Sequence, residues 1–450
     1  MHLDYLLRGF ASRSDAEAIS WRRQSVSYGA LSDAIRCWKE ALNQTGISPG
    51  SVVSISGDFS PASIALFLAM ADHGCITVPI LASANAAHRT AVLDIAQVES
   101  AFEVDAADHS EWRSTGTVAH HPLYTQIRER AHPGLVLFSS GSSGHPKAAV
   151  HDFTGLLEKF KQPRPPQRIL NFLLFDHWGG LNTMLHTLSS GGTVLTVSDR
   201  SPEGICEAIE DYKIEVLPAS PTFLNLLVLS EAYRRHDLSS LKIISYGTEP
   251  MAEGTLRRVR QIFPHVKLQQ TYGLIELGVL RSKSRSADSL WVKVGGEGYE
   301  TRVVDGMLQI KARSAMLGYL NAPSPFTDDG WFMTGDAVEV DGEYVRILGR
   351  QSELINVGGE KVYPQEVENV IQQAENVAEV TVFGEKNAIV GNIVCARILL
   401  THAEDPKDAI ARVKQHCRER LPPFKVPVKI EVVTEQLHND RFKKLRVNTL

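Results

Sequence analysis

The sequence predicts an α/β protein: a large N-terminal unit of layered, mostly parallel sheets with helices, then a small α+β C-terminal unit. Three observations carry this. Short β-branched runs alternate with helical stretches through most of the chain, the rhythm of parallel sheets with helices on both faces. After about residue 295 the pattern turns to short strands joined by Asp-Gly pairs. From residue 351 a helix, two strands and a further helix restart as a separate unit. Residues 1–350 are therefore assigned to the N-terminal core, with a β-rich subdomain at about 295–350, and residues 351–450 to the C-terminal domain.

The elements follow in order. SVVSISG at 51–57 and CITVPI at 75–80 read as strands, with SPASIALFLAMADHG between them as a helix. GGTVLTV is a strand, PEGICEAIEDY a helix and IEVLPAS a strand. LKIISYG and VKLQQTYG flank the helix MAEGTLRRVRQIF. The Asp-Gly pairs at 305–306 and 341–342 predict hairpins. PQEVENVI opens a helix with Pro364 in its first turn and Val367, Val370 and Ile371 on one face. AEVTVFG, NIVCARILL and a helix from Pro406 to Leu421 complete the C-terminal unit, and GRQS at 349–352 is the expected hinge. QPRPPQR at 162–168 reads as a surface loop.

Composition narrows the class. A chain of 450 residues exceeds one ordinary core, so two or three packed units are expected. Hydrophobic residues at 43% and charged residues at 22% suit a soluble enzyme. A net charge of −5 gives no electrostatic reason to bind nucleic acid or an anionic membrane. The five cysteines are scattered, odd in number and without metal-ligand spacing, which predicts a reducing, cytoplasmic setting. The sixteen histidines form no metal-ligand pattern. MHLDYLLRGF lacks the long apolar core of a signal peptide. The apolar stretch from Ile64 to Leu81 is broken by Asp72, His73 and Gly74, so it reads as a buried helix and strand, not a membrane span.

The sharpest chemical signal is LVLFSSGSSGHPKAAVH at 135–151. A strand runs into small, flexible residues: Ser139, Ser140, Gly141, Ser142, Ser143 and Gly144. Their open backbone N–H groups and hydroxyls suit a polyanion, and Lys147 adds charge. It is not a GxxxxGK[ST] loop, because His145 and Pro146 separate Gly144 from Lys147. Taken alone, such a loop is equally a mobile Ser/Gly turn.

SSGSSGHPK resembles the phosphate-binding signature of the adenylate-forming (AMP-binding) superfamily, which includes acyl- and aryl-CoA ligases and stand-alone adenylation domains. Five further stretches resemble its motifs. QTYGLIELG at 270–278 implies that Tyr272 stacks on adenine beside Gly273, and that Glu276 holds Mg²⁺. Ile275 stands where the family usually has Thr. SYGTEPM implicates Gly247, Thr248 and Glu249 in adenine binding. In GWFMTGD, Asp336 would accept hydrogen bonds from both ribose hydroxyls. In LGRQSELINVGGEKVYPQEVE, Arg350 would contact ribose and phosphate, while Gly358 and Gly359 would admit a phosphopantetheine arm. Ser352 sits where the family's hinge residue is usually Asp or Lys. Lys443-Lys444-Leu445-Arg446 fits the last motif's K-x-x-R spacing, with Phe442 replacing the usual Gly. Lys443 is the expected catalytic lysine, with Lys444 as the alternative.

The resemblance implies ATP-dependent activation of a carboxylic acid to an acyl-adenylate with release of pyrophosphate, then transfer to the thiol of coenzyme A. It implies a mobile C-terminal domain that first presents the lysine and then the glycine-rich face. FDHWGGLN at 175–182 should line the acid pocket through Asp176, His177, Trp178 and Gly179. Amino-acid-activating members carry the Asp, and many CoA ligases carry a His near paired glycines. Both are present here, and the other motifs favour a non-amino acid. His177 alone is equally a buried, hydrogen-bonded histidine. The alternative acceptor is a separate acyl carrier protein. A third reading, prompted by Phe442, Ser352 and Ile275, is a paralogue that binds nucleotide or acyl groups without turnover.

Overall fold

A computed structural model describes residues 2–139, 146–280, 282–286, 289–296 and 298–446. Ser140, Gly141, Ser142, Ser143 and Gly144 lie outside them. Two seven-stranded sheets form the N-terminal core. In the first, Val52–Gly57 pairs in parallel with Ile76–Leu81 and Ser100–Val104, and Ile76–Leu81 with Gly134–Ser139. Antiparallel strands close its two edges, Ser110–Ser114 on one side and Lys147–Asp152 followed by Gly318–Tyr319 on the other. The second sheet runs Lys267–Gln270, Ile243–Tyr246, Val216–Ala219, Arg168–Leu170, Thr193–Thr196, Glu17–Trp21, all parallel, and ends on antiparallel Gln24–Ser27.

The helix Pro61–His73 explains how the two sheets share a core. It is apolar nearly all round, and every residue from Ser63 to Asp72 is buried. A helix of that kind must be covered on all sides. It packs in one cluster with Ile19 and Val194 of the second sheet and Val53 and Leu135 of the first. Local chemistry fixes its ends: Ser60 caps the Ser63 N–H, Pro61 opens the first turn, and Gly74 closes it at φ +90°.

The predicted hairpins are present at both Asp-Gly pairs. They belong to a six-stranded antiparallel sheet. That sheet already begins at Ser282–Ser284, so the β-rich part starts earlier than 295. The C-terminal unit holds the helix Pro364–Ile371, the long antiparallel pair Val377–Asn387 and Gly391–Leu400, and the helix Pro406–Arg418. This last helix stops short of Leu421. Lys429–Val433 adds in parallel to Gly391–Leu400.

Gly134–Ser139, Arg168–Leu170, Ile243–Tyr246 and Lys267–Gln270 run parallel within their sheets, so each delivers the segment that follows it to its sheet's carboxyl edge. Open α/β sheets bind ligands at that edge. The C-terminal unit covers it. Asn225 donates a 3.0 Å hydrogen bond to the Ala378 carbonyl, and Arg441 reaches Asp176.

Candidate active site

Ser139 ends its strand and Lys147 begins the next, so both flank the Ser/Gly loop. Asn321 braces the return: its Oδ1 accepts from the Ala148 N–H at 3.0 Å and its Nδ2 donates to the Pro146 carbonyl at 2.9 Å. Lys147 Nζ sits 5.6 Å from the Tyr319 ring centre, and the Tyr319 hydroxyl donates to Glu276 Oε1 at 2.6 Å. Lys147 and Glu276 are thereby drawn to one place.

Tyr272, Asp336 and Arg350 also converge. The Tyr272 hydroxyl donates to Asp336 Oδ2 at 2.5 Å, and Arg350 Nε lies 3.4 Å from Oδ1. Burial pushes the Asp336 carboxyl up, and the Arg350 charge opposes it. Gly247 admits no side chain, since a Cβ there would lie 2.4 Å from Thr271 Oγ1. Thr248 is held at φ +74°, a left-handed conformation uncommon for Thr. Glu249 is spent on structure: its Oε1 accepts from the Thr222 N–H at 2.8 Å and from the Thr222 hydroxyl at 2.5 Å.

The residues expected to line the acid pocket stand at the start of the helix Trp178–Ser190. His177 caps it, its Nδ1 accepting from the Gly179 N–H at 3.0 Å. Burial first, then the charges of Lys443 and Arg441, holds the His177 imidazole well below its usual range. The ring is therefore neutral, with its proton on Nε2. Trp178 is buried and its indole N–H has no acceptor among the described residues. The indole fills the space beside Gly278, where a Cβ would lie 2.9 Å from Nε1. Asp176 is half engaged: Arg441 Nη2 sits 2.6 Å from its Oδ2, while Oδ1 is buried without a hydrogen-bond partner among the described residues.

The two candidate lysines separate clearly. Lys444 Nζ is ion-paired with the fully buried Glu368 at 3.0 Å. Lys443 has no side-chain hydrogen bond or ion pair among the described residues. It lines a small cavity with His177, Arg200, Thr248, Asp440 and Arg441. Burial, then Arg441 and Arg350, pushes its ammonium down to about 8. Gly358 and Gly359 are elsewhere, on the exposed turn between Ile355–Val357 and Glu360–Val362, with φ of +60° and +97°.

A sequence profile of the AMP-binding enzyme matches residues 8–310, and one of the AMP-binding enzyme C-terminal domain matches residues 366–444. The chain belongs to the AMP-binding enzyme family. Indoleacetate–CoA ligase of Aromatoleum aromaticum is 27% identical over 95% of this chain and 93% of its own length. 2-Succinylbenzoate–CoA ligase of Listeria monocytogenes is 25% identical over 96% of this chain and 95% of its own. The fold matches the crystal structure of the anthranilate CoA ligase AuaEII with anthranoyl-AMP at a TM-score of 0.82, 19% identity, 99% of this chain and 95% of the other.

Three residues that contact the candidate site of this AMP-binding enzyme were not legible as such: Tyr319, Asn321 and Arg441. The first two lie outside every motif and arrive because Gly318–Tyr319 pairs with Lys147–Asp152. No signal short of that pairing could have found them. Arg441 stood two residues before Lys443, and that adjacency to a motif was the available hint. Among the described residues no three His, Cys, Asp or Glu converge on a metal position. Mg²⁺ in phosphate sites keeps several waters and needs one or two carboxylates. Glu276 fits that role: Oε1 takes the Tyr319 hydroxyl, and no protein donor among the described residues occupies Oε2. No helix among the described residues is long and apolar enough to cross a membrane.

Proposed function

We propose that this enzyme activates a carboxylic acid other than an amino acid as its acyl-adenylate, then passes the acyl group to the thiol of coenzyme A. The observation that carries the reading is Lys443, without an ion-pair partner among the described residues, in a cavity it shares with His177 and Thr248. A buried cation without a carboxylate partner is poised for an anionic ligand.

In the first step a substrate carboxylate oxygen attacks the α-phosphorus of ATP. A phosphorus–oxygen bond forms, the bond to the β-phosphate breaks, and pyrophosphate leaves. The Lys443 ammonium offsets charge growing on the phosphorus oxygens. Asp336 accepts from the ribose hydroxyls, and Tyr272 and Arg350 hold its carboxylate in place. Glu276 would hold Mg²⁺, whose charge offsets that of the triphosphate. In the second step the thiol sulfur attacks the acyl carbon, the carbon–oxygen bond to AMP breaks, and the thiol proton passes to solvent.

Two observations favour this form of the reading. Asp176, the carboxylate that would take an amino acid's ammonium group, already has its charge paired with Arg441 through Oδ2. The relatives named above are CoA ligases, which supports coenzyme A as acceptor. The test is ATP–pyrophosphate exchange against a panel of aryl, alkyl, dicarboxylic and amino acids. AMP release is then measured with coenzyme A or a phosphopantetheinylated carrier protein. Exchange driven by a non-amino acid, with AMP release on adding coenzyme A, supports the proposal. No exchange with any acid overturns it, and exchange with amino acids alone overturns the substrate class.

A further inference from the structure

The hairpin that carries Lys443 is pinned to the core by two residues that no motif assigns. Asn439 builds its turn: Oδ1 accepts from the N–H groups of Arg441 and Lys443 at 3.0 and 3.1 Å, and the Asn439 carbonyl accepts from the Phe442 N–H at 2.8 Å. Leu445 N–H closes onto the Leu437 carbonyl at 2.9 Å. The geometry forces Phe442 to φ +51°. That left-handed position suits Gly, and a bulky residue is held there only when its surroundings over-determine it.

The surroundings do so. The Phe442 ring stacks between His438 of its own hairpin, at 5.4 Å, and Phe172 of the core, at 5.3 Å. Phe223 meets it edge-on at 5.3 Å. Beside it Arg441 pairs with Asp176 at 2.6 Å, across the two units, where burial has raised the cost of leaving that carboxylate alone. Arg200 of the core is attracted first to Asp58, with which it pairs at 3.7 Å, and then to Asp176 and Asp440. One residue further on, Lys443 is left facing the cavity.

We infer that Arg441 and Phe442 are positioning residues that dock the C-terminal unit in the acid-activating arrangement and make it the resting state of the enzyme. They act by fixing the peptide that bears Lys443, and they must let go before the thiol step. The inference rests on the acid-activation reading above.

The experiment compares Phe442→Gly, Phe442→Tyr, Arg441→Ala and Arg441→Lys in the full chain. Two half-reactions are measured with whichever acid drives exchange in the wild type. Phe442→Gly and Arg441→Ala are each expected to lower pyrophosphate exchange by about tenfold or more, as breaking a buried contact should. Conversion of the supplied acyl-adenylate to its coenzyme A thioester should fall by clearly less than exchange does. Phe442→Tyr and Arg441→Lys should restore most of the exchange. Equal loss of both half-reactions, or exchange unaffected by Phe442→Gly, would overturn the inference. Amide hydrogen exchange of the ligand-free protein supplies a readout that needs no substrate: Phe442→Gly should deprotect residues 437–445 and the core around Phe172. Unchanged protection there also overturns it, whereas lack of exchange in the wild type speaks only to the function proposed above.

Discussion

Lys444 Nζ lies 3.0 Å from Oε2 of Glu368, a carboxylate with no exposed side-chain surface, while its neighbour Lys443 makes no such bond. Arg446 takes both oxygens of the same Glu368 at 2.8 and 2.9 Å. Lys444 and Arg446 thus fasten residues 444–446 to the helix Pro364–Ile371, and of the two lysines it is Lys443 that has no such partner among the described residues. Lys443→Ala should lower pyrophosphate exchange roughly 10²–10³-fold, the loss typical of one electrostatic donor to a transition state. Lys444→Ala should instead cost about 1–3 kcal/mol of stability through the lost bond to a buried charge. Exchange assays and thermal unfolding on both variants separate the roles. A larger loss of exchange in Lys444→Ala would reverse the assignment.

The pH profile of activation follows from Lys443. Burial, Arg441 and Arg350 push its ammonium down to about 8, against the pull of Glu249 and Asp176. The charged form is the active one, so activity is lost on the alkaline side. The kcat/KM for the acid should fall above pH 8 by about tenfold per unit, because this parameter reports the free enzyme. Arg441→Gln removes a positive neighbour and should move that limb to higher pH. A profile flat to pH 10 would show that Lys443 titrates outside the chemistry.

The parallel core was legible because burial on both faces writes itself as continuous β-branched runs, as in VVSISG, all six residues of which are buried. The Asp-Gly hairpins and Pro-led helices were legible because each is a local rule. Ser282–Ser284 and Val292–Val294 were missed: three residues carry no period, and only pairing with a neighbour makes them strands. Ser110–Ser114 is exposed at every position and so shows no alternation either. The motifs named Asp176 and the K-x-x-R run, but not their meeting. Arg441 and Asp176 are 265 residues apart in sequence, and nothing local to either announces the other.

Tyr319 offers a test of a residue outside the motifs. Its hydroxyl donates to Glu276 Oε1 at 2.6 Å, and its ring lies 5.6 Å from Lys147 Nζ. Tyr319→Phe keeps the ring and removes the hydrogen bond that orients the carboxylate. Loss of an outer contact to a metal-binding group typically weakens metal affinity about 10–100-fold. The Mg²⁺ concentration for half-maximal exchange should rise accordingly, with little change in the rate at saturating Mg²⁺. An unchanged Mg²⁺ requirement would mean that Glu276 does not hold the ion.

Glu368 gives a stability prediction with a definite sign. Burial alone would raise its carboxyl, but Arg446 and Lys444 outweigh burial and hold it at about 2, below the ordinary 4.5. A carboxyl depressed on folding binds its proton more readily in the unfolded chain. Its contribution is therefore fully present above pH 4.5 and is lost as pH falls towards 2. Glu368→Gln keeps the shape and removes the charge, leaving Arg446 with Glu353 and Gln365 at 2.8 and 3.0 Å and Lys444 without its anion. Breaking such a pair typically costs about 3–5 kcal/mol. At pH 7 the variant should melt well below the wild type, and the gap should narrow as the pH is lowered from 4.5 towards 2. A gap that stayed constant over that range would mean that packing around residue 368, not its charge, holds the tail in place.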